Sequence, residues 1–285
     1  MQVVRPELTG EQALNKIDIP VVVGPGSHPP EEDGAELDYQ MPSGGMLTYT
    51  APVIPEPDEI EGAEDAIALF SRVQAELAAY ESEQPAVVLP LDGLDEKNID
   101  LVNQILGNGE VSMKYHGVVD AQIQESVLAG VWRVQYLGAN EAVQRDVIEI
   151  AGIPSLVQGD TFRDAAEAVN LSDADIPDDV YNAPPLLSEI DDKLPEYNPG
   201  EAPHVINLSL LPHTNEDIEF LSAMLGIGPV VILSRGYGNC RISSTKIKNV
   251  WWVQYFNSQD TLILNTLEIS EVPDVACAAQ EDIDD

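Results

Sequence analysis

Val131-Trp132-Arg133-Val134-Gln135-Tyr136 returns as Val250-Trp251-Trp252-Val253-Gln254-Tyr255, an offset of 119 residues (131 to 250). The same offset carries Leu106-Gly107-Asn108-Gly109 onto Leu225-Gly226-Ile227-Gly228. It carries Glu149-Ile150 and Pro154 onto Glu268-Ile269 and Pro273. Leu89, Leu91 and Ile99 meet Leu208, Leu210 and Ile218 at that spacing. Residues 85–157 and 204–276 therefore read as two copies of one unit. Residues common to both copies read as fold. Residues that differ are where function has room to settle in one copy.

Each copy opens on an apolar strand, at 87–91 or 205–210. A polar turn follows with an N-cap residue, Asp95 or Thr214. Next comes a short helix, 98–106 or 217–225, stopped by Gly107 or Gly226. Strands are predicted at 111–115 and 230–233, at 131–137 and 250–256, and at 143–150 and 261–269. Gly138-Ala139-Asn140 and Asn257-Ser258-Gln259-Asp260 have hairpin composition. Each unit is thus strand, helix, strand, strand, strand, an α+β arrangement of mostly antiparallel sheet. The apolar strands of both copies need cover. The copies are therefore expected to pack as one body with pseudo-twofold symmetry.

Outside the strand units, residues 1–60 read as an extended Pro/Gly-rich arm, with Gly24-Pro25-Gly26, Pro29-Pro30 and Glu31-Glu32-Asp33-Gly34. Short strands are predicted in it at 21–23 and 46–50. Residues 61–84 hold a helix over 61–82. Ile67, Phe70, Val73, Leu77 and Tyr80 lie on its apolar side, and Glu61, Glu64 and Asp65 in its first turn. Residues 158–203 read as an acidic, Pro-rich linker, with a helix at 161–169 and a loop through Asp173-Ala174-Asp175-Ile176-Pro177. Pro184-Pro185-Leu186-Leu187 is the point at which the linker docks. Residues 204–285 carry the second copy.

Thirteen Lys and Arg stand against 50 Asp and Glu, a net charge of −37. That balance repels phosphate backbones and anionic lipid heads, so neither nucleic acid nor a membrane surface is an expected partner. A basic peptide or protein face is the natural complement. There is no run of 18 apolar residues and no basic-then-apolar start. Two cysteines, Cys240 and Cys277, do not make a secreted disulfide framework. A cytoplasmic protein is expected.

The chemistry-bearing motifs are few. There is no phosphate loop, no GxGxxG after a strand, no HExxH and no GxSxG. His28, His116, His204 and His213 are scattered. No catalytic set, metal or cofactor is expected. Arg241 beside Cys240 favours a thiolate, but no second cysteine lies at CxxC spacing. The copies differ most at 235–241, polar and turn-rich in copy two. Copy one instead has Met113-Lys114-Tyr115-His116-Gly117 and a bland Ala121-Gln122. Arg133 also becomes Trp252. Adjacent strand residues point to opposite faces, so Trp251, the match of Trp132, is assigned to the core. Trp252 faces the other way, either under a second layer or out to a partner. The candidate partner-binding set is Arg235, Tyr237, Asn239, Cys240, Arg241, Trp252, Asn257 and Asp260.

The segment Gly236-Tyr237-Gly238-Asn239-Cys240-Arg241-Ile242, followed by Val250-Trp251-Trp252-Val253-Gln254-Tyr255-Phe256-Asn257-Ser258 and Leu262-Ile263-Leu264-Asn265-Thr266-Leu267-Glu268, closely resembles the HupH/HyaF/HoxQ family. These are hydrogenase expression/formation proteins, accessory factors for uptake nickel–iron hydrogenase. The resemblance is strong over copy two and weaker over copy one. It implies a non-enzymatic maturation factor without a cofactor. The implied partner is the hydrogenase small-subunit precursor, held until its iron–sulfur clusters are in place, the large subunit is ready and twin-arginine export can follow. Two rival readings remain: a redox or iron–sulfur-handling factor acting through Cys240, and a scaffold that bridges other hydrogenase maturation proteins.

Overall fold

Trp132, Val134 and Tyr136 alternate along the chain with Arg133, Gln135 and Leu137, and this period of two builds a strand with two unlike faces. The computed structural model describes residues 55, 60–81, 84–236 and 238–284. The expected arm, with its strands at 21–23 and 46–50, falls almost wholly outside them. Ten strands are described: β1 (Val87–Pro90), β2 (Val111–His116), β3 (Asp120–Glu125), β4 (Val131–Leu137), β5 (Val143–Ile150), β6 (His204–Asn207), β7 (Val230–Ser234), β8 (Asn239–Ser244), β9 (Val250–Phe256) and β10 (Leu262–Ile269). They form one sheet in the order β1-β5-β4-β3-β2-β7-β8-β9-β10-β6. Every neighbouring pair is antiparallel. The fold is α+β with a large antiparallel sheet. At its centre β2 pairs with β7, and Met113 stands opposite Ile232, its own counterpart at the 119-residue offset.

The helices are α1 (Glu64–Leu77), α2 (Glu96–Leu106), α3 (Ser155–Asp160), α4 (Ala183–Lys193), α5 (Asn215–Leu225) and α6 (Gln280–Asp284). Asp95 and Thr214 cap α2 and α5 as expected, each accepting a backbone N–H in the first turn. Gly107 and Gly226 end the same helices at positive φ, 53° and 65°. α1 and α2 cover Leu89, Val131, Ile148 and Ile150 at one end of the sheet. α4 and α5 cover Ile206, Val250, Trp252, Leu267 and Ile269 at the other. These four helices share one face. The opposite face is covered by α3 and the turn Asp274–Ala276, over a core that runs from Trp132 through Met113 and Ile232 to Trp251.

Trp132 and Trp251 lie in that core with no exposed surface. The Trp132 indole N–H donates to Ala151 O at 2.8 Å and the Trp251 indole N–H to Ser270 O at 3.2 Å, so the same bond recurs at the same offset. A buried indole keeps its stabilising area only if its N–H finds an acceptor.

The structure corrects the sequence reading in five places. Each unit has a strand more than expected, β3 in copy one and β8 in copy two. β3 hides behind a weak pattern, Asp-Ala-Gln-Ile-Gln-Glu, because its helix-side residues are glutamines. The first strand of copy two ends at Asn207, and Leu208–Leu210 is a 3-10 turn. Leu89 pairs opposite Ile148 and Ile206 opposite Leu267, so Ile206, not Leu208, is the counterpart of Leu89. The turn that follows is two residues longer in copy two (91 to 95 against 208 to 214). The helix expected at 161–169 is absent, and α3 lies before it, opened by Pro154. Ala166 is instead bridged to Ile247 through bonds with Lys246 and Lys248.

The last correction concerns the expected linker 158–203, which contains α4. Pro184 and Pro185 sit in its first turn, where the missing N–H is harmless. Leu186, Leu187 and Ile190 bury its inner side. α4 starts 119 residues after α1 (64 to 183) and covers copy two as α1 covers copy one. Within α1, Val73 and the following Tyr80 are buried as expected, but Ile67 is exposed and Ala66 takes the inner position.

Candidate partner-binding face

Between the two helix pairs the helix-side surface of the sheet is mixed, polar in copy one and carrying Val231 and Leu233 where copy two begins. Strand pairing sets its residues in two rows. One row reads Gln135, Gln122, Lys114, Val231, Ser243, Trp252, and the other Arg133, Gln124, Ser112, Leu233, Arg241, Gln254. Gln122, Gln124, Val231, Leu233 and Arg241 are only half-buried and belong to neither helix-side core.

The ends of these rows show how the copies diverged. In copy one Arg133 lies against Asp146, Nε to Oδ1 at 3.0 Å and Nη2 to Oδ2 at 2.7 Å, and Nη1 donates to Asn103. Copy two places Trp252 and Asn265 in those positions, and the indole N–H donates to Asn265 Oδ1 at 2.6 Å. The indole fills the space beneath α5. The guanidinium, drawn down onto Asp146, leaves open a cleft of about 280 Å³ lined by Asn103, Asn108, Gln122, Gln124, Arg133 and Gln135 among others.

The eight residues assigned to partner binding are separated by this geometry. Trp252 is 3% exposed, so of its two readings the structure supports cover by a second layer. Cys240 is also 3% exposed and faces the opposite core. Arg241, next to it in β8, points to the other side of the sheet and gives the thiol no help. Burial pushes the Cys240 thiol up to about 12, with Tyr255 hydrogen-bonded beside it, and burial raises Cys277 to about 12 as well. The cation beside Cys240 in sequence does not make a thiolate, because desolvation overrides it, and the burial agrees with a structural cysteine. A thiol shifted from about 9 to about 12 has a thiolate fraction roughly a thousandfold smaller near neutral pH. Iodoacetamide labelling of the native protein at pH 8, followed by mass spectrometry, should therefore modify both cysteines at least a hundredfold more slowly than in urea. Equal rates would contradict the burial.

Three of the set do meet, Asn239, Asn257 and Asp260, and Arg235 lies in the adjoining hairpin. Arg235 follows β7, half-buried, and its N–H donates to Glu110 O at 3.1 Å. Asn239 Nδ2 reaches Asp260 Oδ1 at 3.4 Å and ties the β7–β8 hairpin to the β9–β10 loop. Asn257 Oδ1 holds that loop by accepting from Gln259 N and Thr261 N. Tyr237 lies outside the described residues. Sequence reasoning missed the apolar part of this end. Leu210 is 80% exposed and Ile263 is 55% exposed, Ile263 within the register break of β10. Ser209, adjacent to Leu210, fixes this turn by accepting Asn265 N at 2.8 Å. The signal was available in the comparison of copies, since Ile263 replaces Gln144 and Leu210 lies in the longer turn.

Among the described residues no group of three or more His, Cys, Asp and Glu is placed to hold a metal, and no helix is long and apolar enough to cross a membrane.

The fold is an α+β one built on a single ten-stranded antiparallel sheet, and comparison with known proteins gives the family. The profile described as the HupH hydrogenase expression protein, C-terminal conserved region, matches twice, over residues 64–173 and 180–285. The chain is similar to the hydrogenase expression/formation protein HoxQ of Cupriavidus necator, 46% identical over 95% of each chain. It is 42% identical to HupH of Rhodobacter capsulatus over 93% of this chain and 92% of that one. It is 29% identical to the hydrogenase-1 operon protein HyaF of Escherichia coli over 93% and 91%. A solved structure of HupH from Thiobacillus denitrificans aligns at 32% identity with a TM-score of 0.33, covering 36% of this chain and 85% of that one. The chain belongs to the HupH family of hydrogenase expression/formation proteins.

Proposed function

We propose that this chain is a non-enzymatic accessory protein of hydrogenase maturation. It acts in the cytoplasm, where it holds the small-subunit precursor before cluster completion, assembly and twin-arginine export. We further propose that the two copies are related by a pseudo-twofold axis through the Met113–Ile232 pair. The palindromic strand order and the shared 119-residue offset support this.

One observation carries the binding assignment. Exposed Leu210 and Ile263 flank a polar loop pair, Asn239 and Asp260, at the copy-two end of the sheet, where copy one has Gln144 at the Ile263 position and exposes the smaller Val118, Val119 and Val143 instead. An apolar anchor rimmed by hydrogen-bonding groups is the composition of a binding hot spot, and a net charge of −37 hastens encounter with a basic partner. Trp252, being buried, supports this surface from beneath.

Leu210→Asp combined with Ile263→Asp is expected to weaken capture of the purified small-subunit precursor at least tenfold while the melting temperature holds. Neutralising Asp260 should slow association and reduce its salt dependence. Undiminished capture by the double variant would move the contact elsewhere. The reading through a reactive Cys240 is disfavoured by the buried, protonated thiol.

A further inference from the structure

We infer that the cleft in copy one is a recognition site for the main chain of an extended, unfolded polypeptide segment, and that this segment runs from the cleft across the central strands to Arg241. The inference rests on the partner-binding reading above and names the part of the partner that is held.

The first observation is an acceptor fixed in place with nothing to accept. Gln124 Nε2 donates to Gly109 O, Val111 O and Glu125 O at 3.2, 3.2 and 3.0 Å. Three carbonyls around the amide nitrogen leave no freedom to exchange it with the oxygen. Gln124 Oε1 is buried and has no partner among the described residues. A buried acceptor left unsatisfied carries a penalty, and an N–H admitted to it by a small opening of the cleft removes that penalty.

The second observation is the chemistry around it. Gln122 is half-buried, and no hydrogen bond is recorded for its carboxamide among the described residues. Arg133 is committed to Asp146 and Asn103, which removes the cleft's own cation from anion binding. A phosphate or carboxylate ligand would meet amide groups and a strongly acidic chain, an unfavourable setting for it. Leu106 and Ile123 line the cleft beside the carboxamides, so it offers contacts both to amide groups and to small apolar side chains. Groups that both donate and accept and carry no charge match peptide amides. The cleft, about 280 Å³, suits a short stretch with small side chains.

The third observation is continuity. Gln124 and Arg241 stand in the same row, separated by β2 and β7. Three strand spacings of about 4.8 Å span roughly 14 Å, the reach of about four extended residues. Arg241 has no ion pair among the described residues and is held in partly desolvated surroundings that lower its pKa. A guanidinium so placed offers donors to main-chain carbonyls as Gln124 offers an acceptor to N–H groups. Beyond Arg241 the row continues to Gln254 in β9, and Asn239 lies on the same side of β8 two residues along from Arg241. The counterpart position in copy two is filled by Trp252.

The test uses the full chain and overlapping ten-residue peptides, each fluorescently labelled, tiled along the small-subunit precursor. At least one tile should bind. Gln122→Trp, which fills the cleft, and Gln122→Leu, which removes its carboxamide, should each weaken that tile at least tenfold with an unchanged melting temperature. Arg241→Gln should weaken the same tile, since ten extended residues are long enough to reach both ends of the row. If the precursor is captured but no tile binds, or tiles bind the Gln122 variants as tightly as the wild type, the cleft assignment is overturned and the partner reading stands. If neither precursor nor tile is bound by the wild type, the partner reading itself falls and takes this inference with it.

Discussion

Trp251→Ala is expected to lower the free energy of unfolding by about 5 kcal/mol, and Trp132→Ala by about 4 kcal/mol, the range for emptying a large aromatic site in a packed core. Both side chains are fully enclosed, and each indole N–H answers a carbonyl that would be left without it. Trp251 carries the larger value because Phe162 meets it edge to face, centroids 5.1 Å apart with the planes at 80°. The Trp251 N–H also reaches Glu271 O at 3.1 Å. Urea unfolding followed by far-ultraviolet circular dichroism reads both losses without relying on indole fluorescence. A midpoint unmoved by Trp251→Ala would contradict the packing described.

The second large effect is expected at Asp217, a carboxylate with no exposed surface. Its Oδ1 accepts the N–H groups of Tyr181, Asn182 and Ala183 at 2.9, 2.7 and 3.0 Å, and its Oδ2 accepts Thr214 N at 3.0 Å. One side chain thus caps its own helix α5 and also anchors the entry to α4. Burial pushes its pKa up, but the four backbone bonds outweigh burial and hold it at about 2, below the ordinary 3.8. Asp217→Ala should therefore destabilise the chain by about 3 kcal/mol through lost capping and unpaired donors. The sign of the pH effect follows from the depressed pKa. The carboxylate's contribution is complete above about pH 4 and is lost as pH falls through about 2. The stability difference between wild type and Asp217→Asn should accordingly shrink over that interval and stay level from pH 5 to 8. A difference that grew on acidification would refute the assignment. Copy one has Asn98 at the matching position, where a single bond to Ala66 N at 2.8 Å does the docking.

Much of this molecule was legible in the repeated hexapeptide. Trp132 and Trp251 were assigned to the core from one shared position, and the caps at Asp95 and Thr214 and the stops at Gly107 and Gly226 followed from local chemistry alone. What stayed hidden was hidden for physical reasons. β3 presents glutamines where an apolar alternation would mark a strand, because nothing apolar covers that part of the sheet. α4 opens with two prolines inside an acidic stretch, which looks like a linker until its Leu187 and Ile190 are seen to need a surface. The environment of Trp252 was undecidable from the strand pattern, since period two says which way a side chain points but not what lies there. Cys240 was misjudged because sequence adjacency to Arg241 becomes opposition across a strand.

The sheet is longest-lived where its two halves are sewn together. Between Val111–Ser234 and Tyr115–Val230 five residue pairs cross the middle, and neither half can leave without baring a strand of mostly apolar composition. The outermost strands, β1 and β6, are four residues each and pair on one side only among the described residues. Fraying therefore works inward from the rims and reaches the seam last. Leu210 stands just beyond β6, at the rim of copy two. The proposed anchor for a partner thus sits on the part of the molecule that loosens most cheaply. The fraying order gives that anchor the lower cost of adjusting to what it grips, while the row from Gln124 to Arg241 crosses the seam.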